Sequence, residues 1–261
     1  LRKAVLVAMA DEVPFIGIKE EVYPKLVAHY SERGYETFFV YGRKQSTSEY
    51  EIRRKLEQLR WNKFHMILRL YDLFALTIYK WKRPKCYLSG QNICVDVPED
   101  IRHLSTKILS ALSLLDEMGY DIIVRTTVSS ILNLEVIDSY LQNVKLDREI
   151  YGGRINQQAD GFTYASGSLT VFNSKCAALL NKNRRKFDFS LVDDVSIGKL
   201  MIKLGVIPSI RLNTLDIANS EGLTQLSGQR DLAQIRCKSG VLAEDRIDSV
   251  LMSAAIEMLD L

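Results

Sequence analysis

The opening segment sets the fold class. Lys3-Ala-Val-Leu-Val-Ala-Met-Ala10 is a continuous apolar run closed by Asp11-Glu12-Val13-Pro14, the pattern of a strand buried on both faces, and such strands belong to parallel sheets. From Lys19 to Arg33 the apolar residues Val22, Leu26, Val27 and Tyr30 recur at helical spacing, Gly34 stops the helix, and Glu36 to Tyr41 reads as a second strand. That is a βαβ unit. It carries neither GxGxxG nor GxxxxGKS, so neither a dinucleotide fingerprint nor a P-loop is claimed.

Downstream the alternation continues. Glu49 to Arg60 reads as a charged amphipathic helix, and Phe64 to Trp81 as two strands or a strand and a helix. Ile93 to Val97 is a short strand, and Leu104, Ile108, Leu109, Leu112 and Leu115 form the apolar stripe of a helix ending at Gly119. Tyr120 to Val124 is a buried strand with a polar end, Arg125-Thr-Thr-Val-Ser-Ser130, followed by a helix from Glu135 to Gln142. Ligands of open α/β sheets bind beyond the carboxyl ends of strands, so that hexapeptide is a candidate site lip. Tyr151-Gly-Gly-Arg154 and Asp160-Gly161 read as loop punctuation. Phe162 to Phe172 reads as a strand broken at Ser166-Gly167, where a bulge or a close backbone approach is expected. Short helices are expected over Asn173 to Asn181 and from Asp193 to Leu204, with the Asp193-Asp194 pair as an N-cap or a functional acid pair. Ala233 to Lys238 suggests a strand and Asp245 to Leu259 a last helix.

Composition narrows the classes. Apolar types make up 47% and charged types 26%, which excludes disordered and low-complexity chains. A net charge of +3 announces no nucleic-acid partner, and the cluster Lys182 to Lys186 reads as a solvated loop. The longest apolar run, seven residues, is far short of the ~20 that span a bilayer. Cys86, Cys94, Cys176 and Cys237 show no zinc spacing and read as free thiols of a reducing compartment, with a Cys86–Cys94 loop as the secreted alternative. His29, His65 and His103 receive no function. The chain starts at Leu1 without Met, so it is expected to be trimmed or excised from something longer. With no repeat and no linker, residues 1–261 are read as one domain.

Three stretches fall in a telling order: Asp96-Val-Pro-Glu-Asp-Ile-Arg-His-Leu-Ser-Thr-Lys107 with the strand Tyr120 to Arg125 after it, then Tyr164-Ala-Ser-Gly167, then Asp193-Asp-Val-Ser-Ile-Gly198 with Leu204-Gly205. Together they resemble GT-A-fold glycosyltransferases of the β-1,3-galactosyltransferase and Fringe type, over residues from about Asp96 to Pro208. The resemblance implies an α/β, Rossmann-like GT-A fold: a mixed, mostly parallel sheet flanked by helices, with a nucleotide-binding part over residues 1–130 and an acceptor and catalytic part over 131–261. Where that family carries Asp-x-Asp, this chain has Thr127-Val128-Ser129. Arg125 to Ser130 is similar instead to an R-T-N-x-S-S stretch of microbial and large-virus glycosyltransferases.

The resemblance implies an inverting transfer of a sugar from a nucleotide-sugar, UDP-linked by family habit, to a hydroxyl of a glycan. Asp194 matches the catalytic base. Ala8, Ala10, Asp11, Lys107, Arg125, Thr126, Thr127 and Ser129 are the expected donor contacts, and Gly153, Ser166, Gly167 and Asp193 the acceptor contacts. Hydroxyls do not replace carboxylates around a hard cation, so no cofactor is expected, and Mn²⁺ or Mg²⁺ enters only if other acids hold it. Arg236 and Lys238, alternating on one face of a predicted strand with Arg246 shortly after, are expected to neutralise the diphosphate in its place, the alternative being an ordinary solvated strand face. The expected partners are the donor and a glycan acceptor, with no nucleic acid and no transmembrane segment. The expected location is cytoplasmic, the host's cytoplasm if the chain is viral. The alternative is a non-catalytic nucleotide- or glycan-binding protein that keeps the fold.

Overall fold

The computed structural model describes residues 1–10, 13–43, 74, 76–229, 231–240 and 246–259. The helix expected over Glu49 to Arg60, most of the Phe64 to Trp81 stretch, and Asp11 lie outside the described residues.

Eight strands form one sheet in the order β3-β4-β2-β1-β5-β8-β7-β9. They are β1 (Lys3–Ala8), β2 (Tyr35–Arg43), β3 (Cys86–Ser89), β4 (Asn92–Pro98), β5 (Ile122–Thr127), β7 (Tyr151–Gln157), β8 (Thr163–Asn173) and β9 (Ile210–Arg211). The pairs β1/β2, β1/β5, β2/β4 and β7/β9 are parallel; β3/β4, β5/β8 and β7/β8 are antiparallel. The chain is thus an α/β protein with a mixed, mostly parallel sheet flanked by helices, consistent with a Rossmann-like fold. A smaller sheet, β10-β11-β6, joins β6 (Ser130–Leu132), β10 (Thr214–Ile217) and β11 (Gln234–Cys237).

Helices cover both faces of the large sheet because β1 and β5 are apolar on both sides. On one face Val5, Val7, Ile122 and Val124 pack with α1 (Val13–Glu21), α2 (Tyr23–Glu32), α4 (Leu134–Gln142), α7 (Asp248–Leu259) and the small sheet. On the other, Ala4, Leu6 and Ile123 pack with α3 (Leu104–Glu117), α5 (Ser174–Lys182) and α6 (Asp193–Lys203). Among the described residues no helix is long and apolar enough to cross a membrane. All four cysteines are free.

The single helix expected from Lys19 to Arg33 is two. Pro24 sits in the first turn of α2, the one place where its missing N–H and its ring are tolerated, so the chain breaks at Val22. Residues 151–157, expected as loop, form β7. Gly152 and Gly153 are packing residues: a Cβ on the first would lie 2.4 Å from the Ile210 carbonyl oxygen, and one on the second 2.2 Å from that of Leu169. β8 is continuous, but the expected irregularity is present. Gly153 pairs with Thr170 and Ile155 with Ala165, so Ser166 to Leu169 bulge opposite Arg154 alone. The small strands β9 and β10 and the 3-10 helix Ser220–Leu226 are additions. The Lys182 to Lys186 loop is not wholly solvated: Arg184 is buried, its Nε donating to the Tyr79 carbonyl at 2.6 Å.

Candidate functional site

The carboxyl end of β5 is where the polar residues converge. Along β5 the side chains alternate, and Arg125, in phase with Ile123, points to the α6 face. It is buried, with Nη2 2.8 Å from Asp193 Oδ2. Its Nε and Nη1 have no hydrogen-bond partner among the described residues. The guanidinium lies against the β8 bulge, since a Cβ on Gly167 would fall 2.1 Å from Nη1. Burial pushes the Asp193 carboxyl above its ordinary pKa; Arg125 opposes the shift and the Asp194 charge adds to it.

Asp194, half-buried, turns the other way. Its Oδ2 accepts the Gly167 backbone N–H at 2.9 Å and its Oδ1 the Val195 N–H at 2.8 Å. The pair is not an N-cap. Val192 holds that position and both acids lie in the first turn of α6, where the helix dipole favours negative charge. α6 comes this close to the sheet because residue 198 is glycine; a Cβ there would meet the Cβ of Tyr164 at 2.4 Å.

On the opposite face of β5, a hydroxyl lattice ties the two sheets together. Gln234 of β11 donates through Nε2 to Ser130 Oγ at 3.0 Å and to the Ser168 carbonyl, which also accepts from Thr126 Oγ1 at 2.9 Å. Thr127 Oγ1 lies 3.0 Å from Ser130 Oγ. Next to it, Ser129 Oγ donates to Asp248 Oδ2 at 2.8 Å, Arg246 Nε reaches that same oxygen at 2.9 Å, and Arg246 Nη2 donates to Ser129 Oγ at 3.1 Å. Ser239 supplies its N–H and hydroxyl to Asp248 Oδ1 at 2.9 and 2.7 Å. Burial pushes the Asp248 carboxyl up, but the bonds from Arg246, Ser239 and Ser129 outweigh it and hold the group below the ordinary carboxylate range.

This donor set does not suit a divalent cation. Thr127 and Ser129 offer neutral hydroxyls, and both oxygens of the nearby carboxylate, Asp248, are engaged by Arg246, Ser129 and Ser239. The positive charge beside Ser129 belongs to a guanidinium.

A second arginine cluster flanks the lattice. Arg154, the residue opposite the bulge, holds Asp216 of β10 in a two-point pair at 2.5 and 2.7 Å. Arg236 is in register with Asp216 on one side and Ser130 on the other. Burial lowers its pKa; Asp216 opposes this, and the charges of Arg154, Arg246 and Arg125 lower it further. Its Nε has no partner among the described residues. Lys238, expected on the same strand face, follows β11 and is exposed, its backbone N–H donating to the Ile217 carbonyl.

The remaining predicted residues are distributed around this centre. Ala8 and Ala10 are half-buried at the carboxyl end of β1. Lys107 is buried there, ion-paired with Glu99 and 3.3 Å from the Met9 carbonyl; Glu99 also accepts the Gly42 N–H. Ser166 is buried in the bulge, with Oγ 3.2 Å from Ser168 Oγ. Gly153 is wedged between β8 and β9 and offers no free surface. Sequence reasoning missed Arg154, Asp216, Gln234 and Asp248, which come from four different elements. None of the four breaks a local pattern: Gln234 falls on the same alternating polar face as Arg236 and Lys238. No protein-family model matches the chain, and no curated protein matches it by sequence.

Proposed function

We propose that the chain is an inverting glycosyltransferase of the GT-A type that passes a sugar from a nucleotide-sugar, UDP-linked by resemblance, to a glycan hydroxyl, with arginines in place of a metal ion. The observation that carries this reading is the guanidinium of Arg246 on Ser129, at the position where the resembling family has an Asp-x-Asp carboxylate, with Arg236 and Arg154 beside it. A departing nucleoside diphosphate gains negative charge as its bond to the sugar breaks, and preorganised cations in a water-poor site stabilise that charge best. Asp194 and β11 are anchored to adjacent residues of the β8 bulge, Gly167 and Ser168, which supports placing base and phosphate clamp on either side of one sugar. Asp194 takes the acceptor's proton as its oxygen attacks the anomeric carbon, and the electron pair of the breaking bond leaves with the diphosphate. Arg125 and Asp193 position the bulge and the first turn of α6.

A second reading, a nucleotide- or glycan-binding protein without turnover, is favoured by one observation: Arg154 and Arg246 already have carboxylate partners in Asp216 and Asp248. Incubating the protein with UDP-, GDP- and CDP-sugars and glycan acceptors, with Mn²⁺ or with EDTA, and measuring nucleoside diphosphate release separates the two. The transferase reading expects release in EDTA, reduced by about 10²- to 10⁴-fold in Asp194→Asn. Nucleotide binding without release supports the second reading. Release that requires Mn²⁺ overturns the metal-free assignment.

A further inference from the structure

A surface on the α3/α5 side of the sheet, unconnected with the β5 site, carries a different signal. Residues 74 and 76–81 are helical, and Phe74, Ile78 and Trp81 stand at positions i, i+4 and i+7 of one face. They are 66%, 42% and 68% exposed, while Leu76 on the opposite face is buried. The stripe is therefore turned to solvent. The end of the helix meets the loop 182–186: Arg184 Nε donates to the Tyr79 carbonyl at 2.6 Å and the Arg185 guanidinium lies 4.5 Å from the Trp81 ring centre.

Between them, segments 74–85 and 182–186 hold eight Lys and Arg and no Asp or Glu, so the other residues of a chain with net charge +3 sum to −5. Acids temper two of these cations, Glu117 pairing with Arg83 and Asp188 lying near Lys80. Lys82, Lys85, Lys182, Arg185 and Lys186 are exposed around the apolar stripe.

We propose that this surface docks the protein on an anionic lipid bilayer, with Phe74, Ile78 and Trp81 entering the headgroup boundary and the surrounding cations meeting lipid phosphates. Exposed aromatic and aliphatic side chains on one helix face, ringed by Lys and Arg, suit an interface that is apolar below and negative above. A polyanionic glycan or a duplex satisfies the cations and offers nothing to Phe74 and Ile78, and a single strand can stack bases on the aromatics but leaves the aliphatic Ile78 unmatched.

The test is flotation of the full chain with neutral phosphatidylcholine vesicles and with vesicles containing phosphatidylserine. Phe74→Ser/Trp81→Ser and Lys82→Glu/Arg185→Glu are compared with the parent, and unchanged melting temperatures verify folding. Binding to the anionic vesicles alone is expected, weakened about tenfold or more by either double substitution. With Trp61→Phe in the background, Trp81 is the sole tryptophan, and its emission should shift to the blue on anionic vesicles. Failure to float with anionic vesicles overturns the proposal. So does binding that Phe74→Ser/Trp81→Ser leaves unchanged, or retention on heparin or duplex DNA together with indifference to vesicles, either of which makes the surface a polyanion site. Because no readout uses sugar transfer, the result stands apart from the proposed activity.

Discussion

Arg125 shows how a single residue couples the strand to the helix beside it. Its guanidinium is buried, faces Asp193, and occupies the space that any side chain at 167 would need. The clashing atom is the end of a long side chain, yet it has no room to retreat without leaving Asp193. Gly167→Ala should therefore cost about 1–3 kcal/mol in urea unfolding. In an Arg125→Ala background the same change should cost little, and equal costs in both backgrounds would show that the contact is not the cause. Asp248 gives a pH dependence. Its folded pKa lies below the ordinary value, so its contribution is fully present above the unfolded pKa of about 4 and is lost as pH falls through the lower folded value. Urea melts at pH 7 and pH 3 should show a smaller acid loss in Asp248→Asn, from a lower starting stability, than in the parent. Arg125 and Asp194 were legible as single residues because strand polarity and acids at a helix start leave local marks. Asp248 was not, since its partners Ser129 and Ser239 come from separate parts of the chain.

At the scale of elements, what the sequence revealed depended on how local the cause was. Helix α3 was readable from apolar spacing and α6 from its acidic start and the stop at Gly205, and Asn133 and Asn173 cap the starts of α4 and α5 through Val136 and Cys176. β7 was not readable, because Gly152 and Gly153 look like turn residues until β8 and β9 close on them. β11 was readable as a strand, but the placement of its cations was not: Arg236 lies inside the ladder, half-buried, and Lys238 outside it. That difference ranks the two as ligand contacts. A phosphate replaces water around Arg236 at low dielectric cost, whereas Lys238 keeps its hydration and is screened by salt. Arg236→Gln should weaken nucleoside diphosphate binding about tenfold or more by calorimetry, a loss of roughly 1.4 kcal/mol, and Lys238→Gln several-fold less. Equal effects, or none from Arg236→Gln, would remove β11 from the donor site.

For the whole molecule, the decisive feature is that the candidate site straddles a seam. The large sheet contributes Arg125, Thr126 and the β8 bulge, and the small sheet contributes Arg236. Across the seam run the Gln234 bond to the Ser168 carbonyl and the Arg154 pair with Asp216, while the Gln234 bond to Ser130 and the clasp of Arg246 and Asp248 on Ser129 brace the small-sheet side. No local pattern announces such a seam, because α4, β7, β8, α5, α6 and β9 all lie between β6 and the pair β10 and β11. Polar links of this kind open more readily than the apolar core on either side. Under the proposed function, a nucleoside diphosphate held by Arg236 and Arg246 on the small-sheet side and by Arg154 of the large sheet would add a bridge between the two sheets, and a ligand bound only by the closed state stabilises it by mass action. Hydrogen exchange should then slow, on adding the diphosphate in EDTA, at Gln234–Cys237 and at Asp248–Leu259, with β3 and β4 at the far edge unchanged. Uniform slowing across the chain would mean global stabilisation instead of a closed seam. Slowing confined to β1 and β2 would place the nucleotide at the Lys107–Glu99 end of the site and leave the arginines without a phosphate.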